Sequence, residues 1–256
     1  MFAIVVGCSE EGLRNAESPA KFIMWLDQAK RIRMEFVRIP AGRFRMGSAD
    51  GDSDEKWVRQ VTISKDFWLQ TTEVTQAQWE AVTGSKPSQW KGADLPVEMV
   101  SWDDCQDFVR RLNEKYRHDL KGKEIRLPTE TEWEYACRAG NTGKWCFGAG
   151  EAKLEEYAWY VKNSGKQTHP VGQKKPNGWG LYDMHGNVCE WCQDWYDSYD
   201  PDKMTDPTGP MSGPCRVLRG GAWYYFATVT RSTCRNGDKP TDRCNFVGLR
   251  VLAASR

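Results

Sequence analysis

One segment of the chain has a clear helical period of apolar positions. Its apolar residues recur every three or four positions: Cys105, Phe108, Val109, Leu112 and Tyr116. Such spacing places them on one face of a helix. Ser101 precedes the segment as an N-cap residue, and Asp103 and Asp104 stand at the positive end of the helix dipole. We predict a core-packed helix that begins after Ser101.

Two shorter helices are indicated by capping boxes. In this motif a Thr hydroxyl and the Gln or Glu side chain three residues later accept each other's backbone N–H groups. Thr75 and Gln78 match the motif, and so do Thr129 and Glu132. Gly140 is expected to end the second helix, because glycine readily adopts the left-handed conformation of a helix C-terminus.

Alternating apolar and polar residues predict strands elsewhere. Residues 36–48 alternate on both sides of Pro40 and predict a hairpin, and residues 57–69 predict a further strand after a charged loop. Short strands are also expected at 125–128, 216–218 and 247–252. Residues 141–215 show almost no period. Early helices, short scattered strands and long irregular connections together predict an α+β domain.

The N-terminus indicates a lipid anchor. The apolar run Phe2–Val6 is too short for a membrane span. Val5-Val6-Gly7-Cys8 resembles a bacterial lipobox, in which Cys8 would be acylated; the alternative is a frayed strand. Apolar residues between 22 and 32 are spaced like a helical face. We expect residues 1–35 to form a lipoprotein-like N-terminus, tether and short helix, and residues 36–256 to form a domain anchored at the bacterial outer surface.

Composition narrows the function classes. The chain has 256 residues and a net charge of +1, which gives no basic field to attract nucleic acid. Thirteen Trp and 23 Gly favour a loop-rich fold with bulky side chains in irregular cores. Cys189 and Cys192 form a CxxC without a second pair at zinc-ribbon spacing. Eight cysteines remain besides Cys8 and could pair in an oxidising compartment, in a connectivity that the sequence leaves open.

The last forty residues combine a regular frame with irregular aromatic and polar residues. Arg219-Gly220-Gly221 opens the frame and Gly248-Leu249-Arg250 closes it. The mixture between them follows no period, as expected of a binding surface on stiff loops; the alternative is an ordinary irregular C-terminus. The candidate ligand-binding residues are Tyr224, Tyr225, Phe226, Val229, Cys234, Asn236, Gly237, Asp238, Cys244, Asn245 and Phe246.

Four arginines are expected to hold these loops from behind: Arg219, Arg231, Arg235 and Arg250. A guanidinium group forms forked hydrogen bonds to carbonyls and carboxylates. Direct ligand contact by the arginines is the alternative. Substitution of a core residue costs several kcal/mol of stability, whereas an exposed substitution costs little. If the candidate ligand-binding residues can be exchanged without unfolding the domain, they are expected to point outward.

Seven separated segments form a joint pattern: IPAGRFRMGS (39–48), EVTQAQWE (73–80), PVEMVSWDDCQDF (96–108), RLPTETEWEYACRAG (126–140), NGWGLYDMHGNVCEWCQDWY (177–196), RVLRGGAW (216–223) and VGLRV (247–251). Together they resemble the formylglycine-generating-enzyme family, also called the sulfatase-modifying-factor family. The resemblance covers about residues 36–252. It implies a C-type-lectin-like fold with a mixed sheet core, two main helices and much irregular structure.

The resemblance also bears on catalysis. The family's enzymes oxidise a cysteine of a substrate protein and bind copper(I) through a cysteine pair just after the RGG motif, where two soft thiolates suit the metal. Residues 222–233 contain no cysteine here, and the next one is Cys234. His118, His169 and His185 are too scattered for the three-histidine iron site of the related sulfoxide synthases. We expect no catalysis and no catalytic cofactor; a copper-dependent formylglycine-generating-type oxidase is the alternative.

A structural calcium ion is implied by the family's GNxxEW turn. The matching positions are Asp183, Gly186, Val188 and Glu190. Carboxylate oxygens from the two acids and carbonyls from the other two residues would suit a hard cation. The alternative is a turn in which both acids accept backbone N–H groups. A second family calcium site is not expected, because Trp159 stands where an Asn ligand belongs.

The C-terminal segment, about residues 216–252, further resembles the variable proteins of diversity-generating retroelements, notably the Treponema type, which join a lipoprotein N-terminus to this fold. Such retroelements mutate adenines, chiefly in AAY codons, which cannot become Trp, Met, Glu, Gln or Lys codons. Those five types supply 65 of the 256 residues, so about six are expected among the 23 residues 224–246. Only Lys239 is found. The segment is thus expected to be hypervariable.

These patterns predict a non-catalytic, surface-displayed ligand-binding protein; an accessory lipoprotein with a fixed partner is a further alternative. The sugar-binding motifs EPN and QPD do not occur, which favours a protein ligand. No symmetric apolar stripe indicates an oligomer, so a monomer is expected. The membrane would be contacted only through lipid, and no nucleic acid would be bound.

Overall fold

The computed structural model describes residues 20–56, 58–198 and 204–255. Cys8, the predicted lipidation site, lies outside them. The helices are α1 (Gln76–Thr83), α2 (Trp102–Lys115), α3 (Glu130–Arg138) and α4 (Leu154–Tyr157). The strands are β1 (Lys21–Trp25), β2 (Arg33–Ile39), β3 (Gly42–Met46), β4 (Arg59–Ile63), β5 (Phe67–Gln70), β6 (Lys123–Arg126), β7 (Cys189–Trp195), β8 (Arg216–Arg219), β9 (Arg235–Asp238), β10 (Val247–Gly248) and β11 (Leu252–Ser255).

The strands form three sheets among the described residues. Their orders are β1-β2-β5-β11-β6, β10-β7-β8-β9 and β3-β4. One core cluster joins α1 and α2 to β1, β2, β6 and β7, and a second joins α3 to β2, β5, β7 and β8. The last strand, β11, pairs with β5 and β6, so it joins β6 to the rest of the larger sheet. No described helix is long and apolar enough to cross a membrane.

The three helices expected from caps and periodicity are confirmed. Thr75, Ser101 and Thr129 each accept the N–H three residues later, and each is part of a complete capping box. The apolar face predicted for α2 is buried. Helix α3 ends at Arg138, and its C-cap residue Ala139, with a left-handed φ of 45°, lies one residue before the predicted Gly140. The α+β class is therefore observed.

The helix expected between residues 22 and 32 is wrong. Lys21–Trp25 is a strand, and Met24 pairs with Met34 across the antiparallel β1–β2 ladder. Phe22 stacks on Phe36 with ring centroids 4.6 Å apart, so its apolar surface is covered by a strand partner. The chain reverses between Trp25 and Arg33, so the apolar residues of this segment lie on a strand and a turn and not on one helical face. The predicted boundary between residues 35 and 36 lies inside β2.

Two strand predictions also need correction. Residues 36–48 contain β2 and β3, but these do not form a hairpin: β2 pairs with β1 and β5, while β3 pairs with β4. Residues 57–69 divide into β4 and β5, which belong to different sheets. Strands β7 and β9 were not predicted. Most of β7 is buried on both faces, so it lacks the alternation that reveals a half-exposed strand.

Candidate ligand-binding surface

The candidate residues lie on the loop that follows β8 and two glycines, on β9, and on the loop between β9 and β10. Gly220 and Gly221 have φ values of 97° and 74°, which other residues rarely adopt. A Cβ on Gly221 would lie 3.0 Å from the Val229 carbonyl oxygen and from Thr230 Cγ2. The glycine pair therefore turns the chain sharply and lets it approach the short 3-10 turn that follows.

Nine of the eleven candidate residues expose their side chains wholly or in part: Tyr224, Tyr225, Phe226, Val229, Asn236, Asp238, Cys244, Asn245 and Phe246. We call these nine residues the display surface. Phe226 is 70% exposed. Tyr224, Tyr225 and Phe246 are half-buried and also pack against the larger core cluster. The surface thus has one protruding ring and several rings seated at its base.

Two candidate positions do not offer a freely exchangeable outward side chain: Cys234 is buried, and Gly237 is partly exposed but has no room for a Cβ. Cys234 is 8% exposed, and burial raises the pKa of its thiol to about 11. Gly237 lies against Tyr196, and a Cβ there would be 2.9 Å from Tyr196 Cγ. The expectation of an outward, freely exchangeable side chain is therefore wrong at both positions: the first is inside the frame, and the second has an aromatic ring behind it.

Aromatic contacts organise the display surface. Tyr224 is central, with ring centroids 5.2 Å from Trp223, 4.1 Å from Tyr225 and 4.7 Å from Phe246. Trp223 meets Trp90 edge to face at 5.1 Å. Edge-to-face and tilted pairs at these separations are favourable arrangements. The rings therefore hold one another in place.

The loop backbone is tied to other parts of the fold. Val161 donates its N–H to the Tyr225 carbonyl at 3.0 Å, and Met99 donates to the Cys244 carbonyl at 3.0 Å. The Trp223 indole N–H donates to the Asn245 carbonyl at 3.1 Å. These bonds involve main-chain acceptors, so they persist whichever side chains the display surface carries.

Arg219 is fully buried and holds the loop before β9. Its Nη1 donates to the carbonyls of Thr233 and Cys234 at 2.8 and 2.6 Å, and its Nη2 donates to the Ser232 carbonyl at 3.0 Å. Nη2 also lies 2.5 Å from Glu134 Oε2. One cation thus satisfies three successive carbonyls and a buried carboxylate.

Two further arginines form forked pairs with acids of distant elements. Arg231 binds both oxygens of Glu55 at 2.6 and 2.8 Å. Arg235 binds both oxygens of Glu130, at the start of α3, at 2.7 and 2.6 Å. The anchoring role predicted for these arginines is confirmed, because they bind carbonyls and carboxylates of the frame.

The turn expected to hold calcium contains a fourth buried pair. Arg250 binds Glu190 at 2.8 Å, and the Trp133 indole donates to Glu190 Oε2 at 2.7 Å. Both oxygens of Glu190 therefore have protein partners. Asp183 accepts the Gly172 N–H through Oδ2, while its buried Oδ1 has no hydrogen-bond partner among the described residues. Asp183 fits a cation ligand, whereas Glu190 is neutralised by Arg250.

The residue at the position of the second family calcium site makes other contacts. Trp159 stacks on His169 with centroids 3.8 Å apart, and Lys174 Nζ lies 3.8 Å from the Trp159 ring centroid. Neither an indole nor an ammonium group ligates calcium. This position is instead built around a cation–π contact.

The described cysteines are free thiols: Cys105, Cys137, Cys146, Cys189, Cys192, Cys215, Cys234 and Cys244. Burial raises the pKa of Cys146 to about 12, and a protonated thiol is a poor nucleophile and metal ligand. Asp52, Glu55 and Cys234 offer donor atoms within 4.8 Å of one another. Both Glu55 oxygens bind Arg231, so a guanidinium already neutralises this group.

Sequence reasoning missed residues at the rim of the display surface. Trp90 supports Trp223, Gln89 accepts the side-chain N–H of Asn245 at 2.9 Å, and Val161 is 37% exposed beside Tyr225. They come from irregular segments far away in sequence. No period or motif marks them, so only the folded chain shows that they adjoin the C-terminal loops.

Comparisons with known proteins agree with this architecture. The model of the sulfatase-modifying factor enzyme 1-like domain matches residues 24–255. The formylglycine-generating enzyme of Streptomyces coelicolor is 32% identical over 202 residues, which cover 72% of this chain and 60% of that protein. The chaperone protein LppX of Paenibacillus barcinonensis is 32% identical over 234 residues, covering 74% of this chain and 78% of that protein.

Solved structures give the same result. Treponema denticola variable protein 1 is 32% identical and superposes with a TM-score of 0.84, covering 93% of this chain and 100% of that one. PvdO from Pseudomonas aeruginosa is 29% identical with a TM-score of 0.78, covering 93% and 99%. The family match and these superpositions confirm the predicted resemblance. The chain belongs to the sulfatase-modifying-factor family and has its C-type-lectin-like fold.

Proposed function

We propose that this protein is a non-catalytic, surface-displayed ligand-binding protein whose C-terminal segment is hypervariable and diversified by a retroelement. The observation that carries the proposal is a set of outward side chains on a backbone held from behind. Phe226 is 70% exposed, while Arg219, Arg231 and Arg235 bind carbonyls and carboxylates of the frame. Exposed substitutions usually change stability by less than about 0.5 kcal/mol. The likeness to Treponema denticola variable protein 1 supports the same function.

The chemistry of the display surface favours a protein partner. Rigid aromatic side chains supply large contact area at low entropic cost, and Asn and Asp side chains supply adaptable hydrogen bonds. The rings of Tyr224, Tyr225 and Phe246 already contact one another, so ordering them on binding costs little. We propose that a monomer binds its protein ligand through this surface, with Phe226 as the protruding anchor.

Sequencing the 3′ end of the gene from several isolates tests diversification. We expect changes concentrated in the codons of the display surface, a nearby template repeat, and unchanged Arg219, Arg231 and Arg235. If Tyr224 and Phe226 never vary and no template repeat exists, the segment is fixed. The accessory protein with a constant partner would then be the better account.

The alternative function is an oxidase, and the sequence identity shared with formylglycine-generating enzymes supports it. Against it, residues 222–233 contain no cysteine and the Cys234 thiol is buried. Titration with copper(I), combined with measurement of oxygen consumption in the presence of a cysteine peptide, separates the two functions. We expect neither stoichiometric binding nor turnover, and observing both would establish the oxidase.

We further propose lipid anchoring through Cys8, supported by its lipobox-like sequence. Detergent phase partitioning of the protein expressed with its native upstream sequence tests the anchor. The wild type should enter the detergent phase, and the Cys8→Ser variant should stay in the aqueous phase. Equal partitioning of the two proteins into water would contradict the proposal.

A structural calcium ion at Asp183 is also proposed, supported by the free buried oxygen of its carboxylate. Carbonyls of Gly186 and Val188 would complete the site, whereas both oxygens of Glu190, the fourth predicted ligand, are already bound by Arg250 and Trp133. Adding millimolar calcium to chelator-treated protein should raise the unfolding temperature, and Asp183→Asn should abolish that rise. An unchanged unfolding temperature with calcium would refute the site.

A further inference from the structure

A cleft of about 460 Å³ lies outside the display surface, between β3 and the end of α3. Its principal lining residues are Arg43, Phe44, Arg45, Tyr135, Lys144 and Trp179. The volume falls within the range of small-molecule sites, roughly 300–1,000 Å³. Thr233 is the one lining residue from the segment proposed to vary; it is buried and is not a candidate ligand-binding residue. The exposed lining therefore comes from outside that segment.

One side of the cleft is a set of aromatic rings. Tyr135 lies 5.2 Å from Phe44 and meets Trp179 edge to face at 4.9 Å, measured between ring centroids. The Tyr135 hydroxyl donates to the Pro40 carbonyl at 3.0 Å, and Gly42 leaves no room for a Cβ against that hydroxyl. The rings are therefore fixed, and Trp179 remains partly exposed to a ligand.

The rim of the cleft carries uncompensated positive charge. Arg43, Arg45 and Lys144 are exposed, and their side chains form no hydrogen bond or ion pair with any residue that the structure describes. Asp50 is the acidic residue of the lining. Arg138 differs from the rim cations because Glu134 binds it at 2.9 Å. In a chain of net charge +1, this concentration of cations is a local property.

The rim is also held in shape by the frame. Ser48 donates its N–H to the Glu55 carbonyl at 2.9 Å, and the Glu55 carboxylate is bound by Arg231. The loop that carries Asp50 is thus tied to the loop before β9. A cleft whose walls are fixed in this way needs little ordering to accept a ligand.

We propose that this cleft binds a small organic anion, with a carboxylate, sulfate or phosphate group on a flat apolar body. Arg43 and Arg45 stand two positions apart on β3 and both line the cleft, where their guanidinium forks would bind the anionic group. The apolar body would pack against Trp179 and Tyr135. The site is independent of the display surface and would be shared by all sequence variants of the protein.

Calorimetric titration with benzene-1,3,5-tricarboxylate tests this site. Benzamide supplies a ring without charge, and inorganic sulfate supplies charge without a ring. The test variant is Arg43→Gln/Arg45→Gln, which removes two exposed cations. The matched control is Arg110→Gln/Arg111→Gln, which removes the same charge from the exposed face of α2. Trp179→Leu tests the aromatic wall.

We expect saturable one-to-one binding of the tricarboxylate, with weaker binding of sulfate and of benzamide. The β3 double variant should lose at least about tenfold in affinity, Trp179→Leu should lose several-fold, and the α2 double variant should bind like the wild type. Equal losses in both double variants would mean nonspecific charge attraction and would overturn the proposal. So would the absence of saturable binding. Superimposable thermal unfolding curves of the double variants exclude misfolding as the cause of a loss.

Discussion

At the scale of single residues, exposure distinguishes the proposed ligand anchor from the rings that pack beneath it. Phe226 is 70% exposed, whereas Tyr225 is half-buried against the core cluster. Phe226→Ala should change the free energy of unfolding by less than about 0.5 kcal/mol, and Tyr225→Ala should lower it by about 1–2 kcal/mol. Urea unfolding measures both. Equal effects would contradict the difference in burial.

Cys234 and Cys244 form a matched pair within the C-terminal segment. The first is buried and the second is half-exposed. Cys234→Tyr inserts a large ring into the frame and should destabilise the fold by more than about 2 kcal/mol, while Cys244→Tyr should cost less than about 1 kcal/mol. Chemical denaturation checks the order. A tolerated Cys234→Tyr would show that the inner position can vary after all.

Glu98 gives a pH dependence of stability. Its side chain is fully buried, and the next residue, Met99, donates its N–H to the Cys244 carbonyl. Burial raises the pKa of the Glu98 carboxyl from 4.5 to about 7. The unfolded chain therefore binds fewer protons than the folded one between these two values. The stability that Glu98 contributes should therefore fall as pH rises from about 4.5 to about 7 and then level off.

The Glu98→Gln variant tests this pH dependence. It keeps the side-chain shape and removes the titrating group, so its unfolding free energy should decline less over that pH range. Glu114→Gln, on the exposed face of α2, is the control. A decline in Glu98→Gln as steep as that of the wild type would show that another group is responsible.

At the scale of elements, the forked arginine pairs attach the loops to the helices. Arg235 binds Glu130 in the interior, and Arg243 binds Asp104 with the same forked geometry at the surface. Arg235→Lys should destabilise the protein by about 2–4 kcal/mol, because a buried carboxylate loses its bidentate partner. Arg243→Lys should cost under about 1 kcal/mol. Similar losses at both sites would contradict the buried anchor.

The sequence predicted elements whose signals are local. The capping boxes at Thr75 and Thr129 place two helix starts correctly, because caps depend on residues three positions apart. Strand pairing depends on distant partners, so β2 and β3 were wrongly joined into a hairpin. Strand β7 escaped prediction because burial on both faces removes its alternation. The apolar residues on both sides of Asp27 recur at the period of a helix, although the chain forms a strand and a turn there.

At the scale of the whole molecule, the sequence predicted the arginines that anchor the candidate surface. It did not predict which residues form the rim of that surface or which candidate side chains are buried. The anchoring role of the arginines was predicted because they recur through the C-terminal segment and because a guanidinium group forms forked hydrogen bonds to carbonyls and carboxylates. The inward orientation of Cys234, and the contact of Gly237 with Tyr196, depend on packing between distant elements. The contributions of Trp90 and Val161 arise from the same long-range packing. The sequence pattern therefore located the candidate surface, and the structure shows which of its side chains are exposed.

The central claim is that this frame keeps its fold while its outward side chains are exchanged. Thermal unfolding of the quadruple variant Phe226→Ser/Val229→Thr/Asn236→Tyr/Asp238→Ser tests it most directly, with Arg219→Gln as the frame control. We predict a cooperative transition within about 5 °C of the parent for the quadruple variant, and loss of the cooperative transition for Arg219→Gln. Collapse of the quadruple variant alongside an intact Arg219→Gln protein would contradict the account.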